Sequence, residues 1–174
     1  SITHTSFAQT TDSLKTGLIG YWKFDEIDSI NLTVSDDSGN NNTGLIGKLS
    51  RLLPGKFGQA MMFDDSVATS KLQYMGTGSS FSAKNWSLSA WVNPTLPFAT
   101  TLPNGGINSI ISTDVQLLGI RKDGVYYYTT KIVDFDFVKN PGWHHIVYTY
   151  NGTNLTAVVD GKFSNSIPLL NLME

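Results

Sequence analysis

The chain has 174 residues, with 12 basic against 14 acidic side chains, 15% charged residues and no cysteine. That length suits one domain that buries roughly 70% of its unfolded surface, so it needs no disulfide or metal staple. The near-balanced charge supplies no field for nucleic acid or anionic membrane, no apolar run approaches the about 20 residues of a membrane helix, and the lack of cysteine excludes thiolate nucleophiles and Cys-based zinc sites.

Residues 1–16, rich in Ser and Thr, read as a polar N-terminal arm or linker, and residues 17–174 as one β-sandwich domain. The first residues lack the basic and apolar regions of a signal peptide, so an exported form takes its targeting segment from outside this stretch. From Leu18 to Phe24 the pattern predicts a strand with Trp22 and Phe24 on one face. Ser35 to Gly44 combines Asp, Ser, Gly and three consecutive Asn, a composition that predicts a loop. A bend at Gly58 and a short strand around Leu72 and Tyr74 follow. Ser87 to Val92 alternates cleanly, with Leu88, Ala90 and Val92 on one side and Ser87, Ser89 and Trp91 on the other; Pro94 closes it.

Thr95 to Asn108 is long enough to be a rim loop rather than a connector. Three strands are predicted next, Ile107 to Ser112, Val115 to Ile120 and Val125 to Val133, the last two joined at Asp123-Gly124. Trp143 to Lys162 reads as a hairpin with a second turn behind it, because Asn151-Gly152 and Asp160-Gly161 supply the positive φ angles of tight turns between β-branched and aromatic residues. Turns every eight to twelve residues without a helical period predict an all-β, antiparallel two-sheet sandwich. Sequons at Asn31, Asn41, Asn85, Asn151 and Asn154 carry little weight in so Asn-rich a chain.

Five segments, GLIGYWKFDE (Gly17–Glu26), DDSGNNNTG (Asp36–Gly44), GKFGQAMMFDD (Gly55–Asp65), WSLSAWVNP (Trp86–Pro94) and the Trp143–Lys162 stretch, occur in the order found in laminin G-like domains. The chain therefore resembles the laminin G-like branch of concanavalin A-like jelly rolls. The resemblance implies a jelly-roll sandwich, and it places Trp22, Trp86, Trp91 and Trp143 mainly in the core. It also implies a structural calcium ion at the Asp-Asn loop. Calcium takes six to eight oxygen ligands; Asp37, Asn40 and Asn42 are the candidate ligands, with Asp25 or Asp64 as a partner from another strand, against the alternative of an Asx turn satisfied by its own hydrogen bonds. The family pattern usually ends in one more strand beside the first, which this stretch lacks. Three explanations stand: a fragment of a larger polypeptide, the arm Ile2–Phe7 folding back, or a strand donated by a neighbouring subunit to the open edge.

Catalysis finds little support. A glycosidase needs two carboxyl groups about 5 to 9 Å apart, yet Glu occurs only at Glu26 and Glu174. The nearest substitute, Asp134 and Asp136, reads better as a solvated face balanced by Lys131 and Lys139. His144 and His145 are adjacent on a strand, so they point to opposite faces and do not share a metal. For sugar binding the useful group is an exposed aromatic ring, and two pairs qualify, Tyr126 with Tyr128 and Tyr148 with Tyr150. The expectation is a non-catalytic binding or adhesion module, extracellular or at the cell surface, with a glycan or glycoprotein as ligand. The alternatives are a structural or display subunit of a surface assembly and, third, a glycan-active enzyme.

Overall fold

A computed structural model describes residues 16–47, 50–63, 73–74, 84–94, 108–112 and 117–169. The arm up to residue 15, Leu72, Asp64 and the 95–107 loop lie outside the described residues. Contacts divide the chain into two compact units, residues 1–81 and 82–174. Among the described residues there is no helix, and every strand pairing is antiparallel.

In the first unit β1 (Thr33–Val34), β2 (Gly44–Leu45) and β5 (Gln73–Tyr74) form a short sheet in the order β1-β2-β5, while β3 (Arg51–Pro54) and β4 (Gln59–Met62) form a hairpin. Gly58 takes φ +56° in the turn of that hairpin, a conformation that favours glycine, and the Asp25 carboxylate lies close against it. The strand expected over Leu18–Phe24 is not a ladder strand. Its main-chain groups bond to the loop at residues 36–42 instead of to a neighbouring strand, and Phe24 leaves the β region altogether at φ +62°.

The second unit is a two-sheet sandwich. One sheet has the order β13-β12-β11-β6, from β6 (Trp86–Val92), β11 (His144–Tyr150), β12 (Asn154–Val159) and β13 (Phe163–Pro168). The other has the order β10-β9-β8-β7, from β7 (Asn108–Ser112), β8 (Leu117–Arg121), β9 (Gly124–Tyr127) and β10 (Thr130–Asp134). Strict alternation on β11 and β12 sends Ile146, Tyr148, Tyr150, Leu155, Ala157 and Val159 inward, where they meet Leu118, Ile120, Val125, Ile132 and Val133 in one apolar core. Ile132 and Val133 are neighbours yet both buried, because the β9–β10 register slips between Lys131 and Val133 and turns two consecutive side chains inward.

The predicted strand Val125–Val133 is in fact a hairpin. Tyr128 adopts φ +48° and reverses the chain between β9 and β10, a turn that carries neither Gly nor Asn. The preceding turn is Lys122-Asp123, and Gly124 belongs to β9, where a Cβ would run into the Val133 carbonyl oxygen. At the other end of the unit, Asn151 Oδ1 accepts from the main-chain N–H of Thr153 (3.1 Å) and Asn154 (2.8 Å) and shapes the β11–β12 turn, with Gly152 at φ +86°.

Candidate functional site

The Asp-Asn loop is organised by Asp36, which is not among the candidate ligands. Asp36 Oδ1 accepts from Tyr21 N (2.8 Å) and Ser38 N (2.9 Å), and Oδ2 accepts from Ser38 Oγ (2.7 Å) and Asn42 N (2.9 Å). Burial works to raise the pKa of Asp36, but the hydrogen bonds from Ser38, Tyr21 and Asn42 outweigh it and hold the carboxyl below its ordinary value. Asn40 Nδ2 donates to the Leu18 carbonyl at 2.7 Å, and Asn42 Nδ2 to the Ile19 carbonyl at 2.6 Å. The Trp22 indole N–H donates to the Asn42 carbonyl at 2.9 Å. The loop thus binds the segment through Leu18, Ile19, Tyr21 and Trp22.

Of the other proposed calcium ligands, Asp37 pairs with Lys23 at 3.3 Å, and Asp25 Oδ1 accepts from Gln59 N at 3.1 Å. Among the described residues no three His, Cys, Asp or Glu side chains converge. As arranged, these groups engage one another and their neighbours through the hydrogen bonds and the ion pair just described.

The four tyrosines separate. Tyr148 is 0% and Tyr150 3% exposed, both in the sandwich core, with their hydroxyls donating to the Gly119 carbonyl (2.9 Å) and the Leu169 carbonyl (3.1 Å). Inward register on β11 makes them packing residues in place of the platform the sequence suggested. Tyr126 points away from Val125 but is only 5% exposed; the Arg121 guanidinium lies 4.5 Å from its ring centroid, and its hydroxyl donates to the Asp123 carboxylate at 3.1 Å. Lys131 clasps the same carboxylate at 2.6 Å and Asp134 at 3.0 Å. Tyr128 alone remains exposed, in the turn rather than on a shared face with Tyr126. Asp134 and Asp136 also separate: Asp134 pairs with Lys131, whereas Asp136 pairs with Lys139 and accepts from the N–H of Val138 and Lys139.

The adjacent histidines do diverge to opposite faces. His144 lies inside against Phe135 and Phe137, its Nδ1 facing Asp160 Oδ2 and its Nε2 facing the Asn140 carbonyl, each at 2.8 Å. Asp160 also accepts from His145 N at 2.8 Å through Oδ1, while Asp160 N donates to the His145 carbonyl at 2.8 Å. Burial raises the Asp160 pKa, and the bonds from His144 and His145 more than offset it, so the carboxyl sits below its ordinary value.

The outer face of β6 and β11 holds the arrangement that the sequence reading missed. Trp91, expected mainly as core, is 42% exposed. It stacks on His145 with ring centroids 5.0 Å apart and an interplanar angle of 30°. His145 Nε2 lies 2.7 Å from Ser89 Oγ, and Ser87 Oγ donates to Thr149 Oγ1 at 3.3 Å. The register pairs His145 with Trp91, Val147 with Ser89 and Thr149 with Ser87. The Ser-Leu-Ser-Ala-Trp alternation already carried this signal, since it put Trp91 with the serines and opposite Leu88, Ala90 and Val92. Family resemblance and alternation disagreed about Trp91, and the period of two won.

No family model and no curated protein matches the chain. A solved structure that does match is the binding domain of Paraclostridial Mosquitocidal Protein 1, with a TM-score of 0.67 and 17% identity over 89% of this chain and 41% of that one. The chain therefore spans about two fifths of that structure's length, and at this identity the likeness is one of fold.

Proposed function

We propose that the chain is a non-catalytic, laminin G-like jelly-roll module that binds carbohydrate outside the cell or at its surface. The observation that carries this reading is the half-exposed Trp91 ring on a sheet face of hydroxyls, beside the His145 imidazole and Ser89. An aromatic face takes the apolar side of a sugar ring, and a few fixed polar groups orient its hydroxyls. The match to a structure described as a binding domain supports the same class of role. The state of the carboxylates argues in the same direction, because Asp134 and Asp136 are engaged with different lysines and make no acid and base pair.

A glycan array with the parent chain and with Trp91→Ala tests the reading, with circular dichroism to show that the variant keeps its fold. Binding that the substitution removes supports it. Binding that survives moves the site elsewhere, and an array without signal sinks the carbohydrate assignment.

A further inference from the structure

The face around Trp91 has a length and a chemistry that specify its ligand further than carbohydrate in general; the argument rests on the reading just proposed. The outward positions of β6 and β11 form three rows across the two strands: Trp91 with His145, Ser89 with Val147, and Ser87 with Thr149. Successive rows are two residues apart along the strands, which is about 7 Å, so the track from Trp91 to Ser87 is about 14 Å long. That exceeds what a single sugar ring covers. None of the six is Asp, Glu, Lys or Arg, and His145 is the one titratable group among them. An acidic sugar finds no Lys or Arg among these positions. The polar groups occur as bonded pairs, His145 with Ser89 and Ser87 with Thr149, so each pair holds its hydroxyls in a fixed direction while a spare donor or acceptor stays available. Val147, half-buried between the two pairs, offers an apolar strip.

We infer that this face takes a neutral, linear oligosaccharide lying along β6 and β11, with one ring stacked on Trp91 and hydroxyls further along the chain bonded at Ser89 and then at Ser87 and Thr149. A monosaccharide meets only the first row.

Isothermal titration with glucose, mannose and xylose and their linear oligomers from dimer to hexamer, alongside oligogalacturonides as an anionic control, tests the assignment. Affinity is expected to rise with chain length and level off once the track is filled, with a gain of about tenfold or more from monomer to tetramer, as one or two added hydrogen bonds supply. Ser87→Ala and Thr149→Val, both at exposed positions, should weaken the tetramer several-fold and leave the monomer unchanged, whereas Trp91→Ala should abolish both. A monomer bound as tightly as its tetramer, a preference for the anionic chain, or a tetramer indifferent to Ser87→Ala and Thr149→Val overturns the extended track while leaving carbohydrate binding at Trp91 standing. If no saccharide of any length binds, the carbohydrate reading falls and the track with it.

Discussion

Tyr148 is the most informative residue to perturb, because it decides between a packing role and a ligand role for the tyrosines of β11. Its ring is fully buried, and its hydroxyl donates from one sheet to the Gly119 carbonyl of the other at 2.9 Å, with the Tyr126 carbonyl at 3.4 Å. Burial pushes the phenol pKa far up, so the hydroxyl remains a donor across any working pH. Tyr148→Phe keeps the ring and removes only this link between sheets. The loss comprises the net worth of one buried hydrogen bond and some desolvation cost at the carbonyl left behind, about 1.5 kcal/mol together. With a urea slope of about 2 kcal/mol per molar, the unfolding midpoint should fall by about 0.75 M. Equilibrium urea unfolding followed by far-UV circular dichroism measures it, and ligand affinity should not change. An unchanged midpoint would refute the bridging role, and lost affinity at full stability would return Tyr148 to the binding site.

Asp36→Ala leaves four donors without their acceptor and should cost about 2 kcal/mol; faster hydrogen exchange at Tyr21 N and Asn42 N is the local readout, and unchanged exchange at both would count against it. Added calcium should leave the melting midpoint of the parent chain where it is, since the loop's groups are committed to one another; a rise of several degrees would support calcium bracing instead. Tyr128→Gly should stabilise the fold by about 0.5–1 kcal/mol, because relief of the left-handed penalty of about 1–2 kcal/mol exceeds the entropy cost of glycine; destabilisation would mean that the exposed ring contributes packing through Tyr127. Asp160 has a folded pKa below its ordinary 3.8, so its contribution is present above that value and is lost as pH falls through the folded pKa. Asp160→Asn should therefore flatten the acid limb of a plot of urea midpoint against pH, and an identical limb in the variant would show that other carboxyls dominate it.

Much of the second unit was legible because its signals are local and agree with one another. Leu88, Ala90 and Val92 alternate with Ser87, Ser89 and Trp91, and Asn151-Gly152 and Asp160-Gly161 mark the turns where the structure has them. What escaped depended on non-local or atypical geometry. Tyr128 reverses the chain without a residue suited to positive φ, so no turn chemistry announced it. The slip after Lys131 breaks the period of two and hides two adjacent core residues. Leu18–Phe24 has a strand's composition, but its partners are the carboxylate and amides of a loop some 15 to 23 residues away, which periodicity does not register. In the loop itself, composition pointed to Asx chemistry, but the bonds that tie the loop to Tyr21 and Ile19 join residues too far apart in the chain for spacing to register.

The same alternation ties the core to the outer face, so the two are not independent. A slip of one residue between β6 and β11 would carry Ile146 and Tyr148 outward and bring His145 and Val147 into the core. Asp160 ties the β12–β13 turn to β11: its main-chain N–H and one carboxylate oxygen grip the carbonyl and the N–H of His145, while its other oxygen meets His144 on the opposite face. One side chain at the β12–β13 turn thereby fixes an inward histidine against Phe135 and Phe137 and an outward one against Trp91. The ring on which a ligand would stack is thus held in place by the register that closes the core, without a dedicated scaffold of its own.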